Sequence, residues 1–157
     1  MKFLPAVLPL LVALALTGCA PASPDSTPAA TSTSEGAASC DEVAVVVDFG
    51  SLEQEGIEAC APAGVALDVL HAAGIETEGT ADFGDAALCR VEQRPSPDVE
   101  TCATFSDVAY WALWVRPSAD AKWEFALEGV ADQELADGQS LGLVYTPVNG
   151  ESLPPQG

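Results

Sequence analysis

The chain has 157 residues, with 24 acidic side chains against 5 basic ones and a formal net charge of -19. Binding to phosphates releases counterions only where Lys and Arg cluster, and none cluster here, so a nucleic-acid role is excluded. The acids are scattered, as in "EQEGIEAC" and "ADQELADG", which reads as a solvated, self-repelling surface.

The N-terminus, "MKFLPAVLPLLVALALTGCA", has one basic residue, Lys2, then an apolar run from Phe3 to Leu16 and small residues before Cys19. A membrane span needs about 20 apolar residues. This run is shorter and broken by proline, so residues 1–18 read as a cleaved export signal. "LTGC" resembles the bacterial lipoprotein signal, which implies cleavage after Gly18 and lipidation of Cys19. Residues 19–39, mostly Ala, Pro, Ser and Thr, lack the apolar surface needed to offset chain entropy and read as a disordered tether. The expected arrangement is a domain held by acyl chains, a palmitate-type anchor, on the extracytoplasmic face of the cell membrane.

Four cysteines remain, Cys40, Cys60, Cys89 and Cys102. In an exported domain they predict two disulfides. The runs "VAVVVDFG" and "GIEACA" read as a hairpin that brings Cys40 and Cys60 to the same end, while Cys89 and Cys102 bracket the polar loop "RVEQRPSPDVET". Cys40–Cys60 and Cys89–Cys102 are therefore the favoured pairs. The spacings contain no C-x2-C element, which leaves zinc and redox chemistry without a signal. No stretch has the alternating Asp/Asn and distal Glu of a calcium loop, so no metal site is assigned.

Residues 43–49 alternate, with Val43, Val45, Val47 and Phe49 on one face, as in a half-buried strand. A second strand is predicted near 56–59. "PAGVALDVLHAAG" reads as a helix over about 62–73, with Pro62 in the first turn and Gly74 ending it. Further strands are predicted at 86–92, 109–115, 123–128 and 140–146, and Asp137-Gly138 is a turn signal before the last. The order gives an α+β domain over 40–148, one main helix packed across a mixed sheet, followed by a flexible tail at 149–157.

The runs "VAVVVDFG", "GVALDVLHAAGI", "ALCRVEQRP", "AYWALWV", "KWEFALEG" and "ADGQSLGLVY" together resemble the β-grasp-type domain of the transcobalamin C-terminal-like family. They are similar in particular to exported actinobacterial proteins of that type. The resemblance spans roughly residues 43–146 and implies a β-grasp-like fold and a binding role; in transcobalamin-like proteins this domain supplies one side of a corrinoid site. The second, larger corrinoid-binding domain of those proteins has no counterpart here, and no cofactor is assigned.

Catalytic signals are absent from the motifs. His71, the single histidine, falls on the helix and reads as a boundary residue. Ser51 and Ser106 stand outside any G-x-S-x-G context. Arg90 and Arg94 read as partners for nearby acids such as Glu92 and Asp98. No enzyme activity is assigned.

All three tryptophans lie in "YWALWVRPSADAKW". A hairpin with Val115 opposite Trp123, Leu113 opposite Phe125 and Trp111 opposite Leu127 gathers the apolar side chains on one face. That register makes Trp111 and Trp123 core residues and leaves Tyr110 and Trp114 on the other face as a candidate ligand or partner surface. The expected function is a membrane-anchored extracytoplasmic binding module for a small ligand or an envelope protein. The alternative is a structural or protein-interaction lipoprotein without a small-molecule site.

Overall fold

A computed structural model describes residues 40–156; the predicted signal segment 1–18, the predicted lipidation site Cys19 and the predicted linker 19–39 lie outside the described residues. The chain contains β1 (Val43–Asp48), a 3-10 turn (Gly50–Leu52), β2 (Ile57–Ala61), β3 (Gly64–Val65), α1 (Ala66–Ala72), β4 (Thr77–Thr80), β5 (Gly84–Val91), β6 (Ala109–Arg116), β7 (Glu124–Phe125), β8 (Glu134–Leu135) and β9 (Ser140–Pro147). The described residues form a mixed, mostly sheet structure with one helix on an open mixed sheet. The main sheet has the order β2-β1-β9-β6-β7, and two-stranded pairs β3-β8 and β4-β5 stand beside it.

The alternation in β1 translates directly into packing. Val43, Val45 and Val47 are buried, their neighbours are half-buried, and Val45 and Val47 lie opposite Leu141 and Leu143 in the parallel β1–β9 pair. Burial of side chains of this size contributes roughly 1.5–3 kcal/mol each, so these strands set the inner face. Val69 and Leu70 of α1 close over it. Both disulfides take the favoured pairing, Cys40–Cys60 with Cα atoms 6.0 Å apart and Cys89–Cys102 at 5.6 Å.

The helix is shorter than the span 62–73. It begins at Ala66 because Gly64 and Val65 are extended and pair with Leu135 and Glu134, and the Ala66 N–H donates to the Gln133 carbonyl. Proline fits a first turn, but an available strand partner outweighs that local preference. Ile75 and Gly74 then donate back to Leu70 and His71, which closes the helix, with Gly74 at φ +79° supplying the left-handed position.

The register expected around the tryptophans is not the one formed. Trp114 lies opposite Phe125 and Val115 opposite Glu124, one residue out of step, and a slip of one exchanges faces. Trp111 and Leu113 join the main core with Ala126, as expected for Trp111. Trp123 does not join it. It packs instead on the outer face with Ala112, Trp114 and Val144. The reason lies across the sheet at Gly142, where a Cβ would stand 2.6 Å from Pro155 Cγ and 3.2 Å from Trp123 Cζ3. The missing side chain admits both groups against the strand. Trp123 is also covered by the Arg116 guanidinium, 4.6 Å from its ring centroid, a cation–π contact. Residues 149–156 of the segment read as a tail run back over this face: Pro155 is buried at Gly142, and Gln156 lies in a surface recess with Val46 and Asp48.

Candidate functional site

The proposed aromatic surface is divided by this arrangement. Trp114 is buried, at 9% exposure, with Phe125 edge-on at 5.4 Å between centroids and Trp123 alongside. It is not available as a surface residue, because Phe125 and Trp123 complete the second face over it. Tyr110 remains exposed at 37% and stands at an opening that sequence patterning does not signal.

That opening is a cleft of about 480 Å³ between β5, β6 and the segment 125–130. Trp111, Leu113, Leu143 and Val130 contribute from the buried core, and Ala86–Leu88 of β5 form the opposite wall. Tyr110, Phe105, Phe125 and Val148 stand at it as exposed residues. Its volume falls in the range of about 300–1,000 Å³ usual for small-ligand sites, and such sites are mostly apolar with few polar groups. Glu128 is the one charged residue lining it and Ser106 the one aliphatic hydroxyl.

The floor of the cleft is held by an aromatic stack. Phe49 meets Trp111 edge-to-face at 5.5 Å, and Tyr145 lies 5.2 Å from Trp111 on its partner strand. The indole N–H of Trp111 is buried without an acceptor among the described residues. Burial holds the Tyr145 hydroxyl above its usual pKa, with the Glu100 carboxylate adding to the effect. Tyr145 is therefore a neutral support packed against Trp111.

The wall carrying Phe105 depends on the loop after β5. Arg90, nearly fully buried, sends Nε to the Pro95 carbonyl at 3.0 Å, Nη1 to Glu78 Oε2 at 2.5 Å, and Nη2 to the Glu100 carbonyl. Its partner is thus Glu78 rather than Glu92 or Asp98. Arg94 donates to Gln54 Oε1, and His71 bonds Thr77 Oγ1 at 2.7 Å, which makes both structural at the surface. The Glu100 carboxyl is held below its ordinary value by the Ser106 hydroxyl, against opposing desolvation, and further by the Cys102 and Thr101 N–H groups and the Arg90 charge. A depressed carboxylate stabilises the fold above its unfolded pKa and loses that contribution as pH falls through the folded one. The melting-temperature gap between the parent and Glu100→Gln is accordingly expected to be largest near neutrality and to shrink below about pH 4.5, the ordinary value. A gap unchanged between pH 6 and pH 3 would contradict this assignment.

Among the described residues no group of three or more His, Cys, Asp and Glu is placed to hold a metal ion, and no helix is long and apolar enough to cross a membrane. Compared with protein-family models, curated proteins and solved structures, the chain shows no match.

Proposed function

We propose that the chain is a non-catalytic binding module of β-grasp type, anchored through Cys19 to the extracytoplasmic face of the cell membrane, and that its site is the cleft between β5 and β6. The observation that carries this reading is the apolar cleft itself, with aromatic side chains left half-exposed around it. A protein that needed only to fold would cover such a patch, and exposed apolar clefts mark interaction sites. The sheet order β2-β1-β9-β6-β7, with a parallel central pair and a helix in the connection after β2, supports the β-grasp assignment. The lining holds one carboxylate and no histidine, cysteine or lysine, which supports binding rather than catalysis. Of the two residues first proposed as the surface, Tyr110 belongs to this site and Trp114 does not.

The test uses the full chain carrying Cys19→Ser, which leaves no thiol to acylate, and the neutral dye Nile red. The dye is expected to bind with blue-shifted emission. Tyr110→Ala and Phe125→Ala should each weaken binding by about fivefold to tenfold, the loss expected for one truncated aromatic contact. Absence of dye binding, or equal binding by both variants, would leave the structural lipoprotein as the better reading. Intact-mass measurement of the wild-type exported protein tests the anchor separately, since an unmodified N-terminus contradicts lipidation of Cys19.

A further inference from the structure

The wall of the cleft formed by β6 is a strand edge with open hydrogen-bonding groups. In an antiparallel pair, the N–H and C=O of one residue point to one side and those of the next to the other. Two bonds fix the phase in β6: the Val108 carbonyl accepts from Val148 N on the β9 side, and the Leu113 carbonyl accepts from Ala126 N on the opposite side. The β6–β9 register is unbroken from Ala109 to Arg116. The odd-numbered residues therefore direct their main-chain groups away from β9. β7 answers only the far end, pairing with Trp114 and Val115.

Ala109 N–H and C=O, Trp111 N–H and C=O, and Leu113 N–H consequently have no backbone or side-chain partner among the described residues. All three residues are more than nine-tenths buried, and Trp111 and Leu113 line the cleft. Unpaired main-chain groups in so sheltered a place are costly. Their spacing, about 6.8 Å between alternate residues, is that of a β-strand.

We propose that this edge receives an extended segment of a partner protein, which adds a strand beside β6 and sets alternate apolar side chains into the cleft. The inference rests on the cleft being the binding site and names what it binds. Main-chain hydrogen bonds would give such a complex its affinity, and the pocket its selectivity. Charge points to a segment with basic rather than acidic flanks, because Glu128 is the charged residue at the cleft and the chain carries -19. The same charge opposes a second copy of this chain. The C-terminal segment is committed elsewhere, at Gly142 and Asp48, and the run 20–39 contains Pro21, Pro24 and Pro28, each lacking the N–H that a ladder needs.

The test measures binding of the blocked peptide acetyl-Lys-Val-Thr-Val-Thr-Val-Lys-amide to the Cys19→Ser chain, alongside Nile red. Two isomers are compared, each with two N-methyl groups, placed either on the first two valines or on both threonines. Both keep every side chain, but only one leaves intact the N–H groups that face β6. The parent peptide should bind and slow amide exchange at Ala109, Trp111 and Leu113. One isomer should bind at least about tenfold more weakly than the other, the size expected for losing one or more net main-chain hydrogen bonds. Replacing both lysines by glutamate should also weaken binding, most at low salt. Isomers that bind within threefold of each other, or a chain that binds the dye but no peptide, would overturn strand addition and leave the cleft reading standing. A chain that binds neither would overturn both.

Discussion

Phe49→Ala is expected to cost about 3–5 kcal/mol, the range for emptying a fully enclosed phenylalanine site. Phe49 is 1% exposed and follows β1 at the start of the 3-10 turn Gly50–Leu52. That turn is pressed against β9, where a Cβ at Gly50 would stand 2.6 Å from the Tyr145 carbonyl. The backbone therefore has little freedom to collapse into the space left by the ring. The edge-to-face contact with Trp111 adds about 0.5–1.5 kcal/mol beyond area burial. Phe49→Leu keeps most of the volume and should lose less than half as much. Urea unfolding followed by far-UV circular dichroism gives the comparison, with an unchanged m-value as the check that only stability moved. Trp111 joins Phe49 to the cleft, so Phe49→Ala should weaken Nile red binding even where the fold persists. A loss below about 1 kcal/mol would mean that the site relaxes and that the aromatic stack is not a fixed floor.

The parts of this fold that were legible in the sequence are those whose pattern is long enough to have a period. Val43, Val45, Val47 and Phe49 announce an inner face by alternation, and all four are core residues. The cysteine pairs followed from the strand ends they flank. Short elements carry no such signal: β3 and β8 are two residues each, and β4, "TEGT", has no apolar alternation because it pairs with β5 away from the main sheet. The tryptophan register failed for a more instructive reason. Gathering every apolar side chain on one face assumes a single core, whereas Gly142 opens a second small one for Trp114 and Trp123. The cleft was illegible because its walls come from β5, β6 and two loops distant in the chain. Among its residues the sequence offers only Tyr110 as a functional surface, and for its place beside Trp114 rather than for the gap it borders.

Arg90→Ala is expected to cost about 2–5 kcal/mol, and the ion pair is not the reason. The Glu78 side chain is 56% exposed, and pairs with so exposed a member contribute only about 0–1 kcal/mol. The larger effect comes from the two carbonyls that the guanidinium serves, Pro95 and Glu100. Pro95 is itself fully buried, and a buried acceptor left without a donor costs about 1–3 kcal/mol. Glu78→Gln should therefore change stability by less than about 1 kcal/mol, while Arg90→Ala removes both loop anchors at once. Arg90→Lys should recover only part of the loss, because a single ammonium cannot reproduce a planar fork that reaches three acceptors. The Cys89–Cys102 bridge still joins the ends of the loop, so the first consequence is local: protease cutting within 92–101 should appear before global unfolding. Phe105 follows that loop directly and borders the cleft, which ties the anchor to binding as well as to stability. If Glu78→Gln proved as damaging as Arg90→Ala, the charge pair and not the loop carbonyls would be what Arg90 is buried to hold.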